Sequence, residues 1–300
     1  MANSQTLTDT QVLEDVQAAR RVKIGLISAT VRYVLLFSVG LVMLYPLIWL
    51  IGASFKTNSE IFAGAGFLPE SPTLDGYIKG WQTSTPYTFG RFFWNSFLII
   101  LPKVIGTAIS CTMAAYAFAR FEFPLKKIFF VSVIAILLLP NVVTRIPQYI
   151  LFRDLGWLDS FLPLWVPSAM AGDAFFVFML VQFLRSLPRD MEEAARVDGA
   201  NSLQTLVYIV VPMLAPALIS VCLFQFMWTM NDFLGPLIYL SSVDKYPVSL
   251  ALKLSIDTTE AFEWNRILAM SVLTITPALI VFFAAQRYFI EGISAGGVKG

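Results

Sequence analysis

Three ionisable side chains interrupt long apolar runs: Lys103, Arg145 and Asp173. If those runs cross a bilayer, each charge costs about 2.5–3.5 kcal/mol or more and must face a bundle interior or a wet cavity. Lys103 lies about ten residues into its run, too deep to snorkel easily. Asp173 lies near the middle of another run, and Arg145 lies nearer an end. One reading pairs Lys103 with Asp173. The other lines a path with some of the three, together with Asn141, Gln148, Gln225, Trp228 and Asn231. Planar hydrogen-bonders beside an aromatic face suit a hydroxyl-rich solute, while two cations against one anion would suit an acidic or sulfonated one. Singly, Trp228 reads as a core or interface aromatic and Arg145 as an outer-surface anchor. Catalysis has little to work with. The chain has no His, which excludes His triads and His-based zinc or haem sites. It has no paired carboxylates at depth to serve as an acid–base set. Cys111 and Cys222 both fall in apolar runs and read as reduced core thiols.

The elements that must position these groups are membrane spans. Apolar residues are 57% of the 300 and charged ones 14%, against about 45–50% and about 25% in soluble domains. The mean hydropathy is +0.71. A bilayer core of about 30 Å needs roughly 20 apolar residues per helix. Six stretches qualify: 30–52, 92–118, 128–149, 162–184, 207–230 and 267–289. Pro46, Pro102, Pro140, Pro167, Pro216 and Pro277 put a proline in each. The carbonyls they free need neighbouring helices, so the spans pack as a bundle. Of 21 Lys and Arg, twelve fall on the side of the termini and seven on the other. The positive-inside rule therefore puts both termini in the cytoplasm. The division expected is a cytoplasmic segment 1–29, a membrane domain 30–291 and a cytoplasmic tail 292–300. Residues 10–23 have the pattern of a short amphipathic helix. A net charge of +1 gives no basic footprint for nucleic acid.

Between the fourth and fifth stretches, loop 186–203 carries a helix signature. Pro188 suits a helix start, and Asp190, Glu192 and Glu193 favour its positive dipole end. Gly199 is a stop, and Asn201 or Ser202 can cap the next helix. The expectation is a helix of about three turns. Ala194 and Ala195 leave room for another protein surface to approach.

Glu193-Ala194-Ala195, Gly199, Ile209 and Val211-Pro212 at their spacing resemble the EAA loop of binding-protein-dependent ABC importer permeases. Val211 stands where that pattern has Leu. Further segments resemble the maltose-type carbohydrate permeases, among them 45–56, 114–120, 231–237 and the tail 292–300. Six spans and this tail resemble the smaller, G-type subunit. The resemblance implies an all-α membrane protein of the type I ABC importer permease kind, six transmembrane helices with a cytoplasmic coupling helix. It implies half of a translocation pore for a sugar or oligosaccharide, shared with a second permease subunit, fed by a periplasmic or surface-anchored solute-binding protein and driven by an ATPase dimer. Glu193, Ala194, Ala195, Asp198 and Gly199 would meet that ATPase. ATP and Mg would belong to the ATPase, because this chain has no G-x-x-x-x-G-K-[ST] loop and is expected to bind no cofactor. A polyol, glycerophosphodiester or acidic sugar would suit the same machinery. An ion-coupled secondary transporter is the alternative of another class, although no internal repeat is evident.

Overall fold

The computed structural model describes residues 29–64, 66–83, 85–257 and 263–297, with the backbone alone at 141, 255–257 and 288–297. The amphipathic helix expected over 10–23 and the last three residues of the tail lie outside the described residues. Among the described residues every regular element is a helix. The first, α1 (Ala29–Ala53), is the most apolar span, and only its last residue, Ala53, is buried within the chain. Its exposed Val, Leu and Phe side chains suit lipid as solvent. Two short helices follow, α2 (Asn58–Ala63) and α3 (Asp75–Gln82), before α4 (Phe89–Arg120). At 32 residues, α4 is about 48 Å long and overshoots the hydrocarbon core at its ends.

Three of the expected continuous spans are broken. Residues 128–149 divide into α5 (Lys126–Leu138) and α6 (Asn141–Asp154), bent by 108°. Pro140 sits at the bend as the N-cap of α6. Its ring disfavours helical geometry in the residue before it, and Leu139 is accordingly extended. Residues 162–184 divide into α7 (Leu162–Ala169) and α8 (Ala174–Ser186). Residues 207–230 divide into α10 (Ser202–Met213) and α11 (Ala215–Met230), bent by 79°. Pro212 and Pro216 flank that bend, and neither has an N–H for the helical ladder. Within α10 the ladder widens to a π turn at Leu206–Val210, where Val211 N–H reaches back to the Leu206 carbonyl. Between α8 and α10 lies α9 (Asp190–Val197), and α12 (Leu234–Tyr239), α13 (Val248–Asp257) and α14 (Trp264–Gly297) complete the chain. Helix α14 runs through the boundary expected at 291.

Four spans, α7 and α8 taken together as Leu162–Ser186 among them, are long and apolar enough to cross a bilayer, and counting each of the two pairs bent by 108° and 79° as one span brings the number to six. The chain is thus an all-α, multi-span membrane bundle. Helix α4 is central to it. Cys111, Ala115 and Ala119 pack with Phe176, Val177, Leu180 and Leu184 of α8 and with Leu206, Val210 and Val221, all buried. Nearer its start, Phe92 and Ile100 pack with Phe226, Ala251 and Met270. At the Phe89 end, the Asn95 amide donates to the carbonyls of Asp244 and Tyr246 at 2.7 and 3.0 Å. At that end Asp159, in the turn between α6 and α7, accepts from the backbone N–H groups of Ser241 and Ser242 and from Lys245 Nζ at 2.7 Å. The Arg120 end carries α9.

Candidate functional site

The break between α7 and α8 is where the backbone must find partners away from water, and α4 supplies them. Ala171 takes a left-handed φ of 59°. Its N–H donates to Ser110 Oγ at 3.0 Å, and that hydroxyl donates to the Ser168 carbonyl at 3.2 Å. Close approach is possible because residue 106 is glycine; a Cβ there would stand 2.5 Å from the Ala169 Cβ. The unwound segment delivers Asp173 into the bundle. Asp173 Oδ2 accepts from Gln225 Nε2 at 3.0 Å and from Thr107 Oγ1 at 3.3 Å. No ion pair joins Lys103 and Asp173 among the described residues, so of the two readings the paired one is not what the structure has. Thr107, one turn beyond Lys103 on α4, and the buried Gln225 take the carboxylate instead.

Asp173 borders a cleft of about 870 Å³. Lys103, Arg145, Gln148, Gln225, Trp228 and Asn231 line it too, so seven of the eight residues singled out for a path meet at one cavity. The eighth, Asn141, has its side chain outside the described residues. Arg145 borders the cleft rather than standing apart as a surface anchor. Trp228 is half exposed, with Phe176 behind it at a centroid distance of 5.1 Å and Phe175 and Phe224 at 5.4 and 5.9 Å. That packing fixes the indole as a platform with accessible surface. Asp232 also lines the cleft, with Oδ1 accepting from Gly235 N–H at 3.0 Å where it opens α12. The lining charges are therefore two cations and two carboxylates, which removes the excess of positive charge that suited an acidic solute.

Helix α9 is shorter than expected, eight residues beginning at Asp190 with Arg189 as N-cap. It closes as the sequence implies. Ala200 N–H donates to the Ala195 carbonyl at 2.9 Å and Gly199 N–H to the Arg196 carbonyl at 3.1 Å. Gly199 has φ +88°, the left-handed stop that glycine allows. Asn201 then forms a capping box with Gln204 that opens α10. Glu193, Ala194, Asp198 and Gly199 are exposed and Ala195 is half-buried. The charge turned inward is Glu192, which meets Arg120 Nε at 2.7 Å with both side chains buried. Neighbouring helical residues point about 100° apart, so burial of Glu192 turns Glu193 outward.

Residues 106–294 match the family described as "Binding-protein-dependent transport system inner membrane component". That match covers well over half of the chain. The chain belongs to this family of importer permeases. A permease for osmoprotective compounds from Synechocystis is 36% identical over 211 residues, 70% of each chain. An arabinooligosaccharide transport permease of Halalkalibacterium halodurans is 32% identical over 269 residues, covering 87% of this permease and 93% of that one. Among solved structures, a bacterial ABC transporter involved in import of the acidic polysaccharide alginate is similar. It has a TM-score of 0.78 and 26% identity, covering 88% of this permease and 96% of that chain. The permease is a transporter subunit, not a catalytic enzyme. Membership also sets aside the ion-coupled secondary transporter.

Sequence reasoning about the permease passed over Asp232, Tyr239 and Thr144 as cleft residues. Asp232 lies next to Asn231 but just past the apolar run, where a carboxylate reads as a solvated loop residue. Tyr239 reaches the cleft from α12, where it packs edge-on to Phe152 at 5.3 Å. A six-residue helix leaves no periodic signal to place it.

Proposed function

We propose that this permease supplies half of the translocation path of an ATP-driven importer for a sugar or oligosaccharide, and that α9 is its contact with the ATPase. The observation carrying the solute class is the cleft itself. Gln148, Asn231 and Asp173 offer donors and acceptors beside the exposed Trp228. Such a set binds hydroxyls by direct hydrogen bonds and stacks a sugar ring on the indole. The balanced charge of Lys103 and Arg145 against Asp173 and Asp232 favours a neutral solute over a polyanion. A polyol or another osmoprotective compound is the second reading, favoured by the Synechocystis relative; an acidic sugar is a third, favoured by the alginate transporter. The resemblance of the tail to the smaller, G-type permease of maltose-type systems belongs to the same proposal.

The orientation follows from the Lys and Arg distribution, with termini and α9 on the cytoplasmic side of the inner membrane. Exposed Glu193, Ala194, Asp198 and Gly199, with half-buried Ala195, then face an ATPase dimer that binds ATP and Mg. A second permease completes the pore, and a solute-binding protein delivers the solute from outside. The test is affinity purification in mild detergent, followed by mass spectrometry and ligand screening on the copurifying binding protein. We expect an ATPase, a second permease and a binding protein that takes neutral oligosaccharides. Repeated recovery of this chain alone, with solute movement in vesicles lacking ATP, would overturn the proposal.

A further inference from the structure

Helices α4 and α8 run side by side between two junctions. At one junction Asp173, which opens α8, meets Thr107 and Gln225 at the cleft. At the other, α4 ends at Arg120 beside the loop that leads from α8 into α9. From Thr107 to Arg120 is thirteen residues and α8 itself has 13, so each helix covers about 20 Å. The space between them is filled by buried Cys111, Ala115, Ala119, Phe176, Leu180 and Leu184. Close-packed interiors of this kind resist shear and transmit displacement.

The Arg120 junction is bonded with unusual density. Arg120 Nε meets Glu192 Oε1 at 2.7 Å, with side chains 3% and 5% exposed. Arg120 Nη2 also donates to the Leu187 carbonyl at 3.4 Å, and Arg189 Nη2 donates back to the Ala119 carbonyl at 3.3 Å. Each charge also suits its helix end: the guanidinium sits in the last turn of α4 and the carboxylate in the first turn of α9. Three contacts from two arginines thus join the end of α4 to α9 and to the loop that leads into it. The side of α9 that meets α4 is held, while Glu193, Ala194, Asp198 and Gly199 stay exposed.

We propose that the buried Arg120–Glu192 pair is a positioning contact that makes α9 and α4 move as one body, delivering any displacement of α9 to Thr107, Asp173 and the cleft. The proposal rests on the reading of α9 as the ATPase contact. Neither residue touches solute or nucleotide; their role is transmission.

The test uses the assembled transporter in proteoliposomes with its binding protein, measuring solute moved per ATP hydrolysed. The variants are Glu192→Gln, Arg120→Met and the double Arg120→Met/Glu192→Met. An apolar pair of similar volume often replaces a buried ion pair without loss, whereas one widowed charge does not. Each single variant should lower solute moved per ATP at least tenfold with the ATPase still bound. The double variant should recover to within about threefold of the parent. A merely structural prop would lower the yield of complex without changing that ratio. An unchanged ratio in both single variants overturns the proposal. So does loss of the ATPase from single and double variants alike, because the pair would then only build the docking surface. Ala195→Trp separates the underlying reading. If that variant keeps both its ATPase and its ratio, α9 is not the contact. If it loses the ATPase while Glu192→Gln behaves as the parent, α9 is the contact and the clamp alone fails.

Discussion

Asp173 stands where backbone and cleft requirements meet. Its carbonyl accepts the N–H groups that open α8, from Phe176 at 3.0 Å and Val177 at 3.3 Å, while its carboxylate holds Thr107 and Gln225. Gln225 is 2% exposed, so its amide has no ready replacement partner. Asp173→Ala should cost about 1–3 kcal/mol through the orphaned amide, read as a lower melting temperature of the purified complex. Asp173→Asn keeps an acceptor oxygen and should cost less. Equal losses in the two variants would mean that charge, not hydrogen bonding, is what the site needs. Lys103, with no ion pair to Asp173, should not show the coupled losses with Asp173 that a direct pair would produce.

At the scale of the element, the closing turn of α9 depends on one residue. Nothing stands within 4 Å of a Cβ built on Gly199, so the cost of a side chain there is backbone strain alone. Gly199→Ala should weaken the turn by about 1–2 kcal/mol. In hydrogen exchange, the amides of 198–200 should open roughly fivefold to thirtyfold more readily. Gly199→Asn should fall between the two, because asparagine tolerates the left-handed conformation better. Unchanged exchange in Gly199→Ala would mean the turn is held from outside α9. Proline decides the other elements case by case. Pro102 and Pro277 sit inside continuous helices, whereas Pro140 marks a 108° bend. The local sequence marks both as spans with a proline. Pro46 likewise stays within the continuous helix α1, although almost none of that helix is buried within the chain.

The whole molecule is tied across its sequence by contacts such as Asp159 with Lys245. Burial by itself would raise the Asp159 pKa. Hydrogen bonds from Lys245, then Ser242 and Ser241, outweigh it and hold the carboxyl well below the ordinary carboxylate range. A pKa depressed on folding adds stability above the unfolded value of about 3.9. That stability is lost as pH falls through the folded value. Asp159→Asn should therefore lower the melting temperature at pH 7. The gap to the parent should narrow as pH drops below about 4. A gap that stays constant down to pH 3 would assign the contact to hydrogen-bond geometry rather than charge.

Composition and motif spacing by themselves determined the class: a lipid-solvated helical bundle carrying an EAA-like loop whose Gly199 stop and Asn201 cap are local rules written in local residues. The residues of the cleft were also legible one at a time, because a charge or amide inside an apolar run is conspicuous. The tertiary structure alone decided their partners. Which carboxylate meets which donor depends on helices far apart in the chain, as Thr107 and Gln225 do at Asp173. Which of Glu192 and Glu193 turns inward depends on where Arg120 ends its helix. The break between α7 and α8 belongs there too, since a free carbonyl or N–H at depth survives only where a neighbour such as Ser110 can bond it. No pattern along the chain announces that neighbour.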